Sequence, residues 1–382
     1  MKLVTAVLAA IAACSSGGSA SSSPDGASQP VPGDSARVAA LDGRLTVPAG
    51  FKVQYFARVG GARWLTVGPD GSVYVSQPGA GQITRLVDAN GDGVAESQRV
   101  VLSGLDEPFG TAFHKGYFYV ANTGGVVRVP VGADGVPAGA PEAVNRYSGG
   151  GGHPTRTIVF GPDSAMYVSI GSSCNVCEER SPERAAVMRY DENGQNGRVY
   201  ARGLRNAMGM AVHPTTKEIW VSQHERDNIA PDHENLPAEE INILRDGGDY
   251  GWPYCHDDRV PNPEYNDPAR CANTIPPALR MQAHSAPMAL EFLDRATNFP
   301  PEYRGDALVA FHGSWNRDAP TGAKVVRIHV ADGKPVSYED FVTGWQRPDG
   351  SRWGRPVGIA VAKDGSVLVS DDQGGAVFRV YR

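Results

Sequence analysis

The stretch Leu65-Thr-Val-Gly-Pro-Asp-Gly-Ser-Val-Tyr-Val-Ser76 decides the fold. Apolar and polar residues alternate on both sides of its Pro-Asp-Gly turn, a pattern typical of two antiparallel strands joined by a tight turn. The same pattern recurs five more times, with one looser copy. The further copies span residues 111–121, 157–169, 210–222, 287–328 and 358–370.

The spacing of the copies predicts the architecture. The equivalent positions are Val67, Phe113, Phe160, Val212, Leu290 and Val361. Their successive spacings are 46, 47, 52, 78 and 71 residues, and units of about 40–50 residues made of short strands are the signature of propeller blades. Six copies predict an all-β, six-bladed β-propeller, whose ring is closed by a strand from residues 51–59 against residues 376–381. A parallel α/β sheet is excluded because no amphipathic helical segments separate the strands.

Three insertions interrupt the repeat, at residues 227–239, 255–286 and 319–323. Loops on a rigid scaffold carry binding and catalytic residues more often than the scaffold itself. We therefore expect the insertions to border a functional site on one face of the propeller; surface decoration is the alternative.

The composition agrees with a strand-rich globular protein. Hydrophobic residues make up 41% of the 382 residues, and the 46 glycines and 29 prolines indicate many turns. The formal net charge of -6 gives no basic surplus, so nucleic acid is excluded as a partner.

The N-terminus predicts export from a bacterial cell. Lys2 precedes an apolar run over residues 3–13, which is too short to span a bilayer and ends at Cys14 as in a lipobox. This pattern predicts a chain that meets the membrane only through a lipid on Cys14, in the periplasm or on the cell surface. An ordinary secretory signal with a chance cysteine is the alternative.

Three regions follow from this interpretation. Residues 1–14 form the lipoprotein signal peptide. Residues 15–40 are rich in Ser, Gly, Ala and Pro and form a disordered tether. Residues 41–382 form the propeller domain.

Four further cysteines lie in the predicted domain, and an even number in an exported chain predicts disulfides. Cys174 and Cys177 could instead form a redox or metal motif, but Cys255 and Cys271 do not supply a second such pair. We expect two local bridges, Cys174–Cys177 and Cys255–Cys271.

The motif Gly203-Leu-Arg-Asn206 lies on a glycine-bounded turn before an apolar strand. Arg205 offers five donors in one plane beside the amide of Asn206, which suits a flat, anionic, carbonyl-rich ligand. Together with Glu239-Glu-Ile-Asn-Ile-Leu-Arg-Asp-Gly-Gly-Asp-Tyr-Gly-Trp-Pro-Tyr-Cys255, this motif resembles the soluble quinoprotein glucose dehydrogenases and the sorbosone dehydrogenases. These enzymes use pyrroloquinoline quinone (PQQ), and the resemblance covers residues 45–382.

The resemblance implies a catalytic base at His153, which stands before a strand that ends in Gly-Pro-Asp163. A histidine titrates near neutrality and can accept a hydroxyl proton. Two positions depart from the glucose enzymes: Gly152 replaces an acid directly before the base, and Ser172 replaces the aspartate that orients it. A hydroxyl can fix the imidazole tautomer but cannot stabilise imidazolium as a carboxylate does.

The resemblance also implies the cofactor contacts. Arg205 would neutralise a PQQ carboxylate, and Asn206 would bond a quinone oxygen and stabilise the developing anion. The remaining cofactor-contacting candidates are His224, Arg317 in place of a family lysine, Arg352 and Arg355. A calcium ion would bridge the cofactor and the backbone carbonyls of Glu225 and Arg226.

A second calcium site is predicted from the residues themselves. Asp88, Asn90 and Asp92 alternate before a glycine, as in the first half of an EF-hand loop. The twelfth position is Arg99, so the full motif fails, but a shorter loop closed by Glu96 remains. An Asx-rich turn is the alternative, and either would be structural.

Trp315, Trp345 and Trp353 lie close together late in the sequence. Their rings could stack on the cofactor or on a sugar. Packing within the blades is the alternative.

The sequence therefore predicts a PQQ- and calcium-dependent dehydrogenase of an aldose or a sugar-derived aldehyde such as sorbosone. His153 would take the proton, the quinone would accept the hydride, and electrons would pass to an external carrier such as a cytochrome or a quinone. A metal-dependent lactonase and a non-catalytic carbohydrate- or protein-binding propeller are the alternatives, since a fold does not determine a function.

Overall fold

The computed structural model describes residues 37–147 and 149–382. Six sheets of four or five strands follow one another along this part of the chain, and the first strands of successive sheets contact each other in a closed ring. The predicted six-bladed β-propeller is confirmed. Cys14 and the predicted signal peptide lie outside the described residues. No helix in the described ranges is long and apolar enough to cross a membrane.

Short strands make up nearly all of the regular structure. In chain order they are β1 (Arg37–Ala40), β2 (Leu45–Pro48), β3 (Lys52–Arg58), β4 (Leu65–Val67), β5 (Val73–Gln77), β6 (Gln82–Val87), β7 (Ser97–Leu102), β8 (Thr111–His114), β9 (Tyr117–Asn122), β10 (Gly125–Pro130), β11 (Glu142–Arg146), β12 (Arg156–Phe160), β13 (Met166–Ile170), β14 (Ala186–Tyr190), β15 (Arg198–Arg202), β16 (Ala207–Val212), β17 (Ile219–Gln223), β18 (Glu239–Ile243), β19 (Gly248–Asp249), β20 (Cys255–His256), β21 (Val260–Pro261), β22 (Leu279–Met281), β23 (Pro287–Phe292), β24 (Ala307–Phe311), β25 (Lys324–Ala331), β26 (Lys334–Val342), β27 (Pro356–Val361), β28 (Val367–Asp371) and β29 (Ala376–Tyr381). The helical segments of the described ranges are α1 (Pro268–Cys271) and the 3-10 turns Pro78–Ala80 and Pro301–Tyr303.

Each blade is an antiparallel sheet whose strands follow their order in the sequence. The blades are β4–β7, β8–β11, β12–β15, β16–β18 with β22, β23–β26, and β27–β29 with β3; they are called blades 1 to 6 below. Blade 3 gains β19 as a fifth, parallel strand. The first strand of every blade lines the central channel.

The ring closes through strand pairing between the two ends of the domain. β3 pairs antiparallel with β29, from Lys52 opposite Tyr381 to Arg58 opposite Ala376. This confirms the closing strand that the sequence predicted within residues 51–59. Full closure leaves no unpaired gap between the first and last blades.

A hairpin precedes the propeller, and its first strand lies where the sequence predicted the end of a disordered tether. β1 pairs with β2, although residues 37–40 were assigned to the disordered tether. The pairing is supported because Leu45 and Val47 of β2 are fully buried, and the guanidinium of Arg37 donates to the carbonyl of Asp340 at 2.6 Å. Contacts with a distant part of the chain therefore order a segment whose own composition favours disorder.

Aromatic side chains fill the space between neighbouring blades. Trp220 of blade 4 is fully buried and contacts the ring edge of Phe292 in blade 5 at 5.2 Å between centroids. Beneath the closing strand, Phe51 contacts Phe299 in the same geometry at 4.8 Å. Burial of side chains of this size contributes about 2–3 kcal/mol each, so the blades are held together mainly by apolar packing.

Both predicted disulfides are confirmed. Cys174–Cys177 closes a tight loop after β13, and Cys255–Cys271 spans the insertion that contains β20, β21 and α1. Cys255 and Cys271 are almost completely buried. The insertion is therefore a shaped, covalently braced loop, as the sequence predicted.

Candidate functional site

The predicted site residues gather at one end of the channel because of the blade topology. The start of the first strand and the end of the second strand are neighbours in an antiparallel pair, as Arg156 and Ile170 are in blade 3. Residues just before a first strand and just after a second strand therefore lie on one face. This face is called the rim below.

The rim carries a cavity, but a larger cavity lies at the opposite mouth of the channel. That cavity has a volume of about 520 Å³ and is bordered by the far ends of the first strands, including Val67, Phe160 and Val212. The rim cavity has a volume of about 370 Å³. Its lining is Gly61, Arg63, Pro78, Gly79, His312, Arg355, Asp372 and Gln373. A choice of site by cavity volume alone would therefore favour the opposite mouth over the rim, where the predicted site residues lie.

His153 lies on the rim before β12, and its ring orientation is fixed by Ser172. Its Nδ1 is 3.1 Å from the Ser172 carbonyl oxygen and 3.0 Å from Ser172 Oγ. Ser172 Oγ itself donates to the carbonyl of Cys174 at 2.6 Å, so Nδ1 is the donor to the Ser172 carbonyl and Nε2 keeps its lone pair. Burial, followed by the positive charge of Arg205, lowers the pKa of His153 to about 4.

Two glycines explain how close the backbone comes to this histidine. A Cβ atom at Gly152 would lie 2.4 Å from the Ser172 carbonyl oxygen, and the residue has a φ of +55°. A Cβ atom at Gly171 would lie 2.6 Å from both His153 Cβ and Asn206 Oδ1. Gly152 therefore leaves no room for the acid that the glucose enzymes place there, and Gly171 brings His153 and Asn206 together.

Asn206 and His224 form the next part of the rim. Asn206 is 4% exposed, and its Nδ2 lies 3.5 Å from His224 Nδ1. His224 Nε2 lies 2.9 Å from the carbonyl oxygen of Pro287 and therefore donates to it. Burial and the neighbouring His153 lower the pKa of His224 well below its usual range. Both nitrogens of His224 are engaged, so it orients Asn206 and is not a free base.

All five donors of Arg205 are directed at acceptors within the protein. Nε and Nη2 donate to the carbonyl and side-chain oxygens of Asn175 at 3.1 and 3.0 Å. Nη1 donates to the carbonyls of Glu225 at 2.6 Å and His224 at 3.4 Å, and Nη2 pairs with Asp227 at 3.1 Å. Arg205 is 5% exposed, and burial lowers its pKa.

Arg355 faces the rim cavity from the start of blade 6. Its Nε and Nη2 donate to the carbonyls of His312 and Gly313 at 2.8 and 2.7 Å. Burial lowers its pKa, and Arg352 adds to this effect. Arg355 is therefore a fixed cation on the cavity wall, where the sequence predicted it.

Arg352 and Arg317, the other two predicted cofactor contacts, donate to backbone carbonyls of the loops around the rim. Arg352 donates to the Ser314 and Thr321 carbonyls at 2.7 and 3.2 Å. Arg317 donates to the backbone carbonyl of Glu234 and lies 3.5 Å from its carboxylate. These acceptors of Arg352 lie between β24 and β25, and the Glu234 acceptor of Arg317 lies between β17 and β18.

Glu225 and Arg226 lie at the end of β17 as predicted, but the Glu225 carbonyl accepts from Arg205. The Glu225 side chain lies among buried carboxyl groups, and its backbone N–H donates to Glu239 at 2.8 Å. Burial raises the pKa of Glu225 to about 7 and that of Glu239 to about 8. The Glu239 carboxyl also accepts from the N–H of Ala286 at 3.0 Å and so ties blade 4 to blade 5.

The predicted calcium loop brings three carboxylates together away from the rim. Oxygen atoms of Asp88, Asp92 and Glu96 all lie within 4.8 Å of one another. Glu96 accepts from the N–H of Ala89 at 2.7 Å, so it closes the short loop, and Asn90 donates to Asp92 at 3.1 Å.

The three tryptophans have different surroundings. Trp345 is fully buried and stacks against Trp353 at 6.2 Å, so the packing interpretation is correct for this pair. Trp315 is 72% exposed.

Three rim residues were missed by the sequence reasoning: Arg63, His312 and Asp372. Arg63 donates to Asp372 at 2.5 Å, and His312 Nε2 lies 3.0 Å from the same carboxylate. The repeat contained the signal. Arg63 stands two residues before its first strand, as Arg205 does, and His312 and Asp372 directly follow second strands, as His224 does.

Comparison with protein families identifies a family that matches this chain. A family model described as TrAA12-like matches residues 45–382, which is the whole propeller with β2.

The chain belongs to the TrAA12-like family.

Relatives of this TrAA12-like chain include sugar dehydrogenases. A pyrroloquinoline quinone-dependent pyranose dehydrogenase of Coprinopsis cinerea is 27% identical over 421 residues, which cover 91% of this chain and 54% of that protein. An uncharacterized protein of Borreliella burgdorferi is 34% identical over 235 residues, 60% of each chain. The chain thus spans about half to three fifths of the length of these relatives.

Solved structures agree on the fold of the TrAA12-like chain. The holo form of the pyranose dehydrogenase PQQ domain from Coprinopsis cinerea gives a TM-score of 0.76 at 22% identity, covering 90% of this chain and all of that one. A Trichoderma reesei carbohydrate-active enzyme of family AA12 gives 0.78 at 21% identity, covering 87% and 96%. At these sequence identities the structural similarity establishes only the fold, which is a β-propeller.

Proposed function

We propose that this chain is a PQQ-dependent dehydrogenase that oxidises an aldose or a sugar-derived aldehyde such as sorbosone. The observation that carries the proposal is the set of buried cations at the rim. Arg63, Arg205 and Arg355 lie on this face, each just before the first strand of blades 1, 4 and 6. Membership in the TrAA12-like family and the activities of the named relatives support the same assignment.

The charges of the rim fit a polyanionic, planar ligand. Burial lowers the pKa of Arg63, Arg205 and Arg355, so each cation lacks full compensation for its desolvation. Nε of Arg63 is buried and has no hydrogen-bond partner among the described residues. PQQ carries three carboxylates, which would supply the missing negative charge and acceptor. These three arginines would hold the carboxylates.

Asn206 would contact the quinone side of the cofactor. Its amide is buried, adjoins His153 across Gly171 and is oriented by His224. An amide donor placed there would stabilise negative charge on a quinone oxygen. Arg205 must exchange one of its protein acceptors to reach a ligand, and Asp227, with 19% of its side chain exposed, is the accessible one.

PQQ, when bound, supplies a two-electron acceptor, and the protein must supply the base that takes the hydroxyl proton. The resemblance to glucose dehydrogenases assigns that role to His153. Its Nε2 makes no hydrogen bond to any described residue and is not sealed from solvent, which is compatible with the role. An external carrier such as a cytochrome or a quinone would then remove the electrons.

Calcium is part of the proposal, and its position at the rim has one structural requirement. The carbonyls of Glu225 and Arg226 would be ligands, as hard cations prefer oxygen donors. Arg205 donates to the Glu225 carbonyl at 2.6 Å. Calcium and Arg205 therefore compete for this oxygen, and loading requires the guanidinium to turn toward the ligand.

Lipid anchoring at Cys14 is proposed on the lipobox pattern. Metabolic labelling with a radioactive fatty acid would test it. The full-length chain should carry the label and the Cys14→Ser variant should not. Equal labelling of both chains, or no labelling of either, would contradict the anchor.

Holoenzyme formation is the direct test of the function. The chain without residues 1–14 would be mixed with PQQ, with calcium, with both or with neither, and its absorbance spectrum recorded. Dye reduction would then be followed with aldoses, sorbosone and simple aldehydes. We expect turnover only with both additions. A PQQ spectrum that does not change on mixing would overturn the proposal and favour a binding propeller.

A further inference from the structure

We infer that Asn175 is the positioning residue that holds the Arg205 guanidinium at the rim for its cofactor carboxylate. This inference rests on the proposed function and adds to it the residue that presents one of the three proposed cofactor-binding cations. Three observations carry it: the contacts between Asn175 and Arg205, the way the loop of Asn175 is fixed, and the chemistry of the other acceptors of Arg205.

Asn175 accepts two hydrogen bonds from Arg205 along one edge of the guanidinium. Its backbone carbonyl accepts from Nε at 3.1 Å, and its Oδ1 accepts from Nη2 at 3.0 Å. Two acceptors on neighbouring donors fix both the position and the plane of a guanidinium, as a bidentate partner does. Asn175 therefore determines where the group lies and which way its plane faces.

The side-chain amide of Asn175 has one chemically consistent orientation. Oδ1 also accepts from the backbone N–H of Asp227 at 2.9 Å, and Nδ2 donates to the Asp227 carbonyl at 3.0 Å. The reversed amide would direct its N–H groups at two donors, those of Asp227 and Arg205. Asn175 thus joins the loop after β13 to the loop after β17, and Arg205 is bonded to both loops.

The loop that carries Asn175 is itself fixed. The Cys174–Cys177 disulfide closes it on either side of the asparagine. The Asn175 carbonyl also accepts from Nε1 of Trp252 at 3.1 Å, and this tryptophan is 4% exposed. The Cys174 carbonyl accepts from Ser172 Oγ at 2.6 Å. Covalent closure and these hydrogen bonds restrict the backbone of Asn175, so it supports the guanidinium firmly.

The main other acceptors of Arg205 have different roles in the proposed function. The Glu225 carbonyl is a proposed calcium ligand, and the Asp227 carboxylate is the acceptor that a cofactor carboxylate would replace. Asn175 is neutral and has neither role, so its two hydrogen bonds can persist when the others are exchanged. Without them, the guanidinium would be held mainly by the groups that it must leave.

The test is a double-mutant cycle in the full exported chain, with Asn175→Ala, Arg205→Gln and the two substitutions combined. Arg205→Gln leaves the other two rim arginines in place, so PQQ binding stays measurable. Asn196→Ala is the matched control. Asn196 also lies on a loop of blade 3, where it donates to Asp191 at 2.8 Å, but the turn between β14 and β15 is at the opposite end of the blade from the rim.

Two measurements are made on each variant. The first is the absorbance titration with PQQ at a fixed calcium concentration. The second, without cofactor, is the solvent exchange of the Arg205 Nε–H in ¹⁵N spectra, where the signal is assigned by its loss in Arg205→Gln.

We expect Asn175→Ala to weaken PQQ binding by about 10–100-fold, the range for loss of a hydrogen bond to a charged group. The Nε–H should exchange at least about tenfold faster, because the guanidinium is less restrained. In the Arg205→Gln background, Asn175→Ala should change the affinity by no more than about twofold, because Asn175 acts through Arg205. Asn196→Ala should change neither measurement.

Two outcomes would overturn the inference. Equal weakening of PQQ binding with and without Arg205 would show that Asn175 acts independently of it. PQQ affinity within about threefold of wild type in Asn175→Ala, with unchanged Nε–H exchange, would show that Arg205 needs no such support. If the wild type binds no PQQ, the proposed function fails, whereas the exchange rates without cofactor still decide whether Asn175 holds Arg205.

A second variant tests the inference if Asn175→Ala does not fold. Cys174→Ser combined with Cys177→Ser leaves every atom of Asn175 in the chain but opens the loop around it. We expect PQQ binding to weaken by at least about threefold when Arg205 is present, because the loop must then be ordered on binding, and to stay unchanged in the Arg205→Gln background. Unchanged PQQ binding with Arg205 present would contradict the inference.

Discussion

At the scale of single residues, Gly152 and Ser172 shape the surroundings of His153. The Ser172 carbonyl occupies the space that a side chain at position 152 would need, at 2.4 Å from an ideal Cβ. The same backbone oxygen that accepts from His153 therefore excludes a residue larger than glycine at position 152.

Gly152→Asp is expected to destabilise the protein by about 2–3 kcal/mol, since it adds a backbone clash to a positive φ. Gly151→Asp is the matched control, because Gly151 has a φ of +65° and no atom within 4 Å of its ideal Cβ. It should cost about 1 kcal/mol or less. Urea unfolding of both variants measures the difference; equal midpoints would contradict the steric argument.

How far the sequence reveals the site also depends on single residues. His153, Arg205 and Asn206 stand in recognisable motifs, so their positions on the rim could be predicted. The pairing of His312 with Asp372 could not, because 60 residues separate them and only the docking of blade 5 against blade 6 joins them. The hydrogen bonds of Arg352 could not be predicted for a related reason, since its Ser314 acceptor lies on the loop after β24, 38 residues earlier in the chain.

At the scale of elements, the inserted loops and the strands contribute different things to the rim. Strand ends position Arg63, His224 and Arg355 through backbone register, which the repeat predicts. The loops supply acceptors such as Asn175 and Asp227, which hold Arg205. Loop conformation could not be predicted from composition, apart from the Cys255–Cys271 brace. The sequence therefore predicted the scaffold of the rim better than its hydrogen bonds.

The loop closed by Glu96 is an element whose calcium affinity can be measured separately from the rim. We expect calcium to raise the melting temperature, because three carboxylates within 4.8 Å repel one another until a cation neutralises them. Asp92→Asn should remove most of the increase, whereas Asp70→Asn, which loses the Arg85 pair instead, should retain it. Differential scanning calorimetry with and without a chelator measures both; a melting temperature independent of calcium in the wild type would identify a plain turn.

At the scale of the whole molecule, stability depends on the blade-to-blade core and on closure of the ring. Phe378 in β29 is 1% exposed and contacts Trp345 at 5.8 Å and Tyr55 of the closing strand at 5.0 Å. The repeat spacing predicted this closure correctly. The hairpin before it could not be predicted, because its order depends on contacts with blade 5.

Phe378→Ala should lower the free energy of unfolding by about 3–5 kcal/mol, since it leaves a cavity where the first and last strands of the propeller meet. Tyr381→Ala lies on the same strand at a half-buried position and should cost about 1 kcal/mol. Equilibrium unfolding in guanidinium compares the two. Similar midpoints would show that the packing of Phe378 between β29 and β3 adds little to stability.

Acid should destabilise the whole fold through its buried histidines. The pKa values of His153 and His312 are lowered to about 4 in the folded protein, from an ordinary value near 6.5. Between these values the unfolded chain binds more protons, so stability is complete above about pH 6.5 and falls as the pH approaches 4. His312→Gln should flatten this decline by about 2 kcal/mol between pH 6.5 and 4. Thermal melting across this range measures how steeply stability falls with pH. Identical slopes in the variant and the wild type would contradict the lowered pKa of His312.

The pairing of β3 with β29 also has a consequence for how the protein is made. The partner of the strand at residues 52–58 lies at residues 376–381, so this sheet can assemble only after those distant residues have been synthesised. Until then the edges of β3 and β28 remain open and able to pair with other chains. A nascent chain stalled before residue 376 should therefore be prone to aggregation, whereas a chain that includes β29 can close the ring.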